Sequence, residues 1–519
     1  RPRLHFFGET DMMRAEKRQE WDWPGYWKGD GCMEGLARLS GLCSRIMYAL
    51  FIALLAELVI HFALSNEEAL GTLALCLVGL TAGVFLLSLA GRVGERMGTG
   101  KTLLLLLCLC FAVKLAWVLH VQIKPAGDYQ VFWETAQQLA GREVIFGGRY
   151  VALFPHLFGY SFFLSLFIKL FGTAPLLAPV INVGLTTLSA ALLFDFCRRL
   201  LGNRTAMNAV LLWILMPSQT IYNMFVLSEP LYTTLILLFL WIVFRFWERV
   251  GKARLRRLIS LGLCAGVVLA AANAVRPLGP ILLIALAIWI FALQLERWRE
   301  KSWRRQALSF VILLLAAYLA VGQLNTSYLT SRVGGHPAAT PGYSILVGFN
   351  VESGGQWNQS DSDLLYRINA EVGPWGASQE VQSRVMEQAK ARIAALSPKE
   401  IASLFYHKLH NLMGSDDSAV FYGADVIAHP RAARLASNAF YYLSMLLAIG
   451  GASEAWRRRD RTLLFLPMIF LVGLVCAHML VEVALRYHYS ALITLVILGG
   501  HGAELFRQRA PARRAARRI

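Results

Sequence analysis

Acidic residues are scarce in this chain: 33 Asp and Glu against 51 Lys and Arg in 519 residues, with charged residues only 16% of the total. A soluble domain carries about 25% charged residues, so an ordinary water-solvated fold of this length is excluded. Cysteine is also sparse, with eight residues. Cys76, Cys108, Cys110, Cys264 and Cys476 fall inside apolar runs, Cys197 ends one, and none lies in the long polar stretch 326–433, which excludes a disulfide framework. The sequence has no Walker loop, dinucleotide fingerprint, HExxH or CxxC pair. It also has no cytoplasmic loop long enough to house a nucleotide-driven engine. A cleavable leader peptide is not expected, because the first apolar run begins near Ile46 after a mixed-charge leader that starts at Arg1.

What the chain does have is apolar length: 56% of its residues are hydrophobic. Runs of about 20 apolar residues, the length that crosses a bilayer, predict an all-α polytopic protein. Its spans fall at 46–64, 70–90, 102–122, 176–196, 206–224, 230–247, 258–275, 278–295, 307–325, 434–453, 463–481 and 487–505. The net charge of +18 does not indicate nucleic acid, because the basic residues sit in short clusters between these runs, as juxtamembrane loops do.

The stretch 151–171 is a thirteenth apolar candidate, and charge decides its case. If it does not cross, one side of the membrane collects 26 basic residues, from Arg92, Arg96 and Lys101 through Arg457 to Arg461 and the tail, while the opposite short connections hold two. If it crossed, the clusters before and after it would lie on opposite faces. The positive-inside rule therefore predicts an interfacial or re-entrant segment, with both termini cytoplasmic in a bacterial plasma membrane. The expected organisation is a leader (1–45), two extra N-terminal spans (46–101), a membrane core (102–325) with a first outer loop (123–175), an extracytoplasmic segment (326–433), the last spans (434–505) and a basic tail (506–519). Within 326–433, amphipathic helices are predicted near 377–396 and after Ser397-Pro398 through Lys408.

Ionisable groups at membrane depth are functional candidates by default, and the predicted topology gathers five of them on the outer side. Asp128, after Gly127, suits either a general base of raised pKa or a helix N-cap. Glu229 in Ser-Glu-Pro opens a span, where a carboxylate also favours the helix N-terminus. Arg276 sits in a proline-bounded outer turn and suits phosphate binding, against snorkelling to the interface. Glu482 and Arg486 are four apart and would share a face and pair if that stretch is helical. Tyr487, His488 and Tyr489 add hydrogen-bonding rings, although a lone His is more often packed than ligating. The Gly348–Asn358 stretch, with Trp357 and Asn358, has a sugar-binding composition that also describes a plain turn-rich loop.

These residues come in an order that resembles a known class. Gly127-Asp128-Tyr129 is followed by Phe154-Pro155-His156-Leu157 leading to Leu170-Phe171-Gly172. Then come Leu227-Ser228-Glu229-Pro230-Leu231-Tyr232, Val275-Arg276-Pro277, the Gly-rich stretch to Trp357-Asn358, and Glu482 with Arg486-Tyr487-His488-Tyr489. Over roughly 102–505 the pattern resembles the GT-C integral-membrane glycosyltransferases, most closely the bacterial relatives of protein O-mannosyltransferases (glycosyltransferase family 39). The chain departs from the family in following Asp128 with Tyr129 rather than a second acid, in Pro155-His156-Leu157 where Pro-Pro-Leu is common, and in the two extra leading spans.

The resemblance implies a GT-C-like bundle of about 12 transmembrane helices with an outer-face catalytic pocket. It implies a polyprenyl-phosphate sugar donor and an acceptor that is a protein, lipid or envelope glycan. Asp128 would be the catalytic base of an inverting transfer. Arg276 and Arg486 would bind the donor phosphate, and Tyr129, Glu229, Glu482, His488, Trp357 and Asn358 would bind or orient substrate. A divalent metal is an open question, with Asp128, Glu229 and His488 as candidate ligands. The competing readings are a transporter or flippase, which more often places ionisable groups at mid-membrane in repeated halves, and a polymerase or ligase of lipid-linked glycans.

Overall fold

The computed structural model describes residues 31–516 apart from 66, 142–143, 146, 252–254 and 375. The leader reading for 1–45 falls largely outside the described residues. Among the described residues there is no strand. The helices run α1 (Gly31–Ser65), α2 (Ala69–Met97), α3 (Thr99–His120), α4 (Asp128–Ala140), α5 (Gly148–Leu153), α6 (His156–Phe171), α7 (Leu177–Leu201), α8 (Asn203–Leu215), α9 (Pro217–Ile221), α10 (Glu229–Trp247) and α11 (Leu255–Val275). They continue α12 (Gly279–Ile288), α13 (Lys301–Val333), α14 (Gly342–Gly348), α15 (Gln359–Val372), α16 (Ser378–Ala395), α17 (Pro398–Met413), α18 (Ser418–Tyr422), α19 (Pro430–Arg458), α20 (Phe465–Leu480) and α21 (Leu492–Ala516).

Among the described residues, eight helices are long and apolar enough to cross a membrane: Gly35–Ser65, Thr99–His120, Leu177–Leu201, Glu229–Trp247, Arg256–Val275, Lys301–Val333, Pro430–Arg458 and Leu485–Gln508. Each coincides with a predicted span. The predicted 70–90 span lies within the 29-residue α2. Two of the other three meet apolar helices under 18 residues, Gly279–Leu293 and Phe465–Leu480. The predicted 206–224 span breaks at Met216-Pro217, where Met216 turns extended. A proline removes the hydrogen bond the helix needs to continue, so one expected span becomes α8, α9 and a 3-10 turn over Tyr222–Met224.

Packing orders the bundle from inside out. The apolar window of Glu229–Trp247 is 72% buried within the protein and that of Leu485–Gln508 is 83% buried, whereas Lys301–Val333 is 17% buried. The first two are therefore central and α13 is peripheral, leaving its apolar surface for lipid. The helices α11 and α13 pack along each other, as do α19 and α21, while α1 and α2 lean on α19.

Within 326–433 a second, smaller core joins Tyr343, Leu346, Val347, Leu365, Ile368, Val381, Val385 and Ala389 with Leu153 of α5, while Leu412, Met413, Ala419, Val420 and Ile427 belong to the main core. The two predicted amphipathic helices are present as α16 and α17. α17 opens on a capping box between Ser397 and Glu400 with Pro398 in its first turn, an arrangement that satisfies two orphan N–H groups.

Candidate active site

Five separate stretches of chain meet in one depression. Its lining comprises Asp128, Tyr129 and Phe132 of α4, His156 and Leu157 of α6, Leu227 to Glu229 at the start of α10, Arg276 after α11, and Arg486-Tyr487 before α21. It encloses about 350 Å3 of space not filled by protein atoms, its open mouth included.

Local sequence explains how each group arrives there. Gly127 precedes α4 with φ of 56°, a left-handed φ that costs glycine little. This makes Asp128 the first helical residue rather than the N-cap, and its side chain caps nothing. The carboxylate instead accepts a hydrogen bond at Oδ2 from Arg486 Nη2 at 2.6 Å. Ser228 ends the approach to α10, and Glu229-Pro230 occupy its first turn, where the missing proline N–H is no loss and a carboxylate meets the positive end of the helix. Glu229 is buried, with 3% of its side chain exposed, and forms an ion pair with Arg276.

The pairing differs from the i,i+4 contact expected between Glu482 and Arg486. Residues 481–484 are not helical, and Ala484 is extended at φ −149° and ψ 149°. This extended segment is pinned to α14 and the turn after it by Glu482 N–H donating to Ser344 O at 2.8 Å and Val483 N–H to Gly355 O at 2.9 Å. Gly348 permits the approach, since a Cβ there would lie 2.5 Å from the Val481 carbonyl carbon. With no helix joining 482 to 486, Arg486 is free to reach Asp128.

Tyr487 lies between the two cations, its ring 4.9 Å from the Arg276 guanidinium and 5.6 Å from that of Arg486, which is also 5.6 Å from the Tyr129 ring. Such stacking orients a guanidinium without neutralising it. The Nε groups of Arg276 and Arg486 are buried with no hydrogen-bond partner, an arrangement normally costly unless a further acceptor completes it. Burial pushes the Glu482 carboxyl up to about 7, with the Arg486 charge opposing and the Asp128 charge adding. Burial likewise raises the Tyr129 hydroxyl to about 12, despite Arg486 nearby, so it remains a donor near neutrality.

Not every nominated residue reaches the depression. His488 is fully buried, with Nδ1 2.8 Å from Leu412 O and Nε2 3.2 Å from Asp416 Oδ1. It does not line the depression, so Asp128, Glu229 and His488 do not converge as a ligand set, because the ring is committed to the α17–α18 connection. Asn358 caps α15 through Asp361 N–H at 2.9 Å and donates to Asp361 Oδ2 at 2.8 Å. Trp357 is 56% exposed, also away from the depression's lining. His156 and Ser228 line the depression without having been nominated. The signal available for them was position, since both fall inside motifs that carried the resemblance.

Residues 155–321 match the family described as dolichyl-phosphate-mannose-protein mannosyltransferase. The match includes Glu229 and Arg276 and leaves out Asp128 and Arg486. Among solved structures the chain is similar to ArnT from Cupriavidus metallidurans bound to undecaprenyl phosphate, at 12% identity, covering 78% of each chain, with a TM-score of 0.34. It is similar also to the archaeal oligosaccharyltransferase AglB from Archaeoglobus fulgidus in complex with an inhibitory peptide and a dolichol-phosphate, at 11% identity, covering 80% of this chain and 52% of that one, with a TM-score of 0.41. No curated protein matches. Among the described residues the chain is all-helical, with eight helices long and apolar enough to cross a membrane. Over 155–321 it resembles the dolichyl-phosphate-mannose-protein mannosyltransferase family.

Proposed function

We propose that this protein is a membrane glycosyltransferase that moves a sugar from a polyprenyl-phosphate carrier to an acceptor on the extracytoplasmic face. One observation carries the reading. Asp128, Glu229, Arg276 and Arg486, drawn from elements up to 358 residues apart, line one depression that sets a carboxylate beside two oriented guanidinium groups.

In this mechanism the donor phosphate sits against Arg276 and Arg486, whose unpartnered Nε–H groups donate hydrogen bonds to its oxygens. The acceptor hydroxyl attacks the anomeric carbon as Asp128, whose side chain is 37% exposed, takes its proton. The bond between the anomeric carbon and the phosphate oxygen breaks, and the electron pair leaves with the lipid phosphate. Fixed guanidinium charge there stabilises the leaving oxygen without reorganising. Attack from the face opposite the leaving group inverts the anomeric centre. Glu229 holds Arg276 in place.

Sidedness is supported by the ends of single helices. α10 begins at the depression and closes its last turn with Arg245, which pairs with Glu248. The two ends lie about 28 Å apart at 1.5 Å per residue over 19 residues, close to the thickness of the hydrocarbon core. Basic clusters at Arg198-Arg199 and Arg457 to Arg461 mark the cytoplasmic face by the charge rule.

The test is a transfer assay in nanodiscs with a panel of polyprenyl-phosphate sugars, wild type beside Asp128→Asn. Release of polyprenyl phosphate should occur with wild type and fall by about 10³-fold in the variant, in the range that general-base removal produces. Both proteins should still bind donor. A wild type that binds none of the donors would return the assignment to a transporter, and full activity in Asp128→Asn would move the base elsewhere.

A further inference from the structure

A second cluster of ligating side chains lies where α1 meets α17, apart from the depression just described. Glu57 and His61 are one turn apart on α1, two turns before its C-terminal end at Ser65. His410 reaches them from α17. One ligand atom from each of the three lies within 4.8 Å of the other two, and all three residues are half-buried.

The cluster's bonding is incomplete. His410 Nε2 lies 3.1 Å from Glu57 Oε1, while His410 Nδ1 and Glu57 Oε2 are buried without a hydrogen-bond partner. A carboxylate on a membrane-spanning helix and an imidazole beside it are expensive to leave so. The His61 and His410 rings are stacked, with centroids 3.6 Å apart and planes 26° from parallel. Neutral imidazole is the form that binds metal.

One ring nitrogen of His61 already has a partner outside the cluster. Nδ1 lies 2.8 Å from the Tyr406 hydroxyl, which leaves Nε2 as the ring's free ligating atom. An outer partner on one ring nitrogen fixes the orientation and donor strength of the other. Two imidazoles with one carboxylate are a three-ligand set that zinc uses with water in the fourth position. Hard cations such as Mg2+ and Ca2+ prefer all-oxygen sites.

We propose that Glu57, His61 and His410 bind one divalent transition-metal ion of the zinc type, clasping the first membrane helix to the outer helix α17. The ion would join two regions that are distant in sequence, and the clasp needs nothing from the transfer site.

The experiment uses full-length protein in detergent, free of any polyhistidine tag, stripped with chelator and titrated with Co2+ and then Zn2+. Wild type should bind one equivalent, with the visible d–d absorption of a tetrahedral Co2+ site that Zn2+ abolishes. His410→Ala and Glu57→Gln should weaken Zn2+ binding by at least about 100-fold and lose the Co2+ spectrum. Tyr406→Phe should weaken it by about 10-fold, as loss of an outer-sphere partner does. Zn2+ should raise the thermal midpoint of wild type and not of Glu57→Gln. Asp128→Asn should bind as wild type does, which separates this site from the depression whatever the transfer assay returns. No saturable binding by monodisperse wild type would overturn the proposal, as would unchanged affinity and spectrum in His410→Ala. If His410→Ala does not elute as a single species, the isosteric Glu57→Gln decides by the same two readouts.

Discussion

Two ion pairs in this protein use the same residue types and have opposite characters. Asp361 is buried, with 2% of its side chain exposed, and is held bidentately by Arg392 at 2.7 and 3.0 Å while Asn350 and Asn358 donate to it as well. Burial alone would raise its pKa, but these donors outweigh it and hold the carboxyl below its usual value. Asp128 is 37% exposed, takes one hydrogen bond from Arg486, and faces open space with an unpartnered guanidinium Nε on each neighbouring arginine. The first pair is saturated and rigidifies the small core around Tyr343 to Ala389. The second is undersaturated and opens onto the depression. A carboxylate and a guanidinium in contact therefore say little about role until the remaining donors and the free volume around them are counted.

That contrast can be broken most directly at the arginines. Arg276→Ala or Arg486→Ala should lower the rate of transfer by about 10²–10³-fold, the scale seen when one fixed donor to a developing anion is removed. Lysine at Arg486 should recover only part, because it cannot offer a planar fork. Steady-state turnover with a lipid-phosphate sugar checks this, and unchanged rates would remove the phosphate-binding role.

The saturated pair should respond in stability instead. Asp361→Ala is expected to cost about 3 kcal/mol, the scale for removing one partner of a buried pair, read as a lowered midpoint in thermal unfolding. Its depressed pKa means this stabilisation is present above the unfolded-state value of about 3.9 and is lost as pH falls through the lower folded value. A midpoint that does not change with the substitution would deny the small core its network.

Glu482 lies between the two cases and sharpens them through pH. With its carboxyl raised to about 7, it is neutral below that pH and adds negative charge beside Arg486 above it. Donor KM should therefore rise severalfold between pH 6 and 8 in wild type and stay flat in Glu482→Gln. The stability linkage has the opposite sign to that of Asp361. A raised folded value favours the native state fully below the unfolded value of about 4.3, and that advantage is lost as pH rises through about 7. The smallest effect is expected at Trp357. It is 56% exposed and absent from the depression's lining, so Trp357→Ala should change transfer less than twofold. A large loss there would place substrate against the turn before α15.

Some elements were legible because one-dimensional properties carry them. Span-length apolar runs gave eight helices at their expected positions. The Ser397-Pro398-Lys399-Glu400 signal announced α17. The break at Met216-Pro217 was written in the sequence as well, but a hydropathy window averages across a proline and reads 206–224 as one span. The candidate site was legible in its members because charge is rare in this chain, so Asp128, Glu229, Arg276 and Arg486 stood out against apolar surroundings.

The sequence by itself determined the helices, the asymmetry of charge between their ends and the short list of polar groups near those ends, since composition and periodicity act locally. Only the tertiary structure decided the partners. Arg486 meets Asp128 rather than Glu482 because residues 481–484 are held extended by hydrogen bonds to Ser344 and Gly355. His488 is withdrawn to Asp416 and Leu412, and Glu57 with His61 is joined by His410 from the far side of the chain. These pairings depend on contacts between residues hundreds of positions apart, where no local preference acts and only the packing of the whole bundle selects one arrangement.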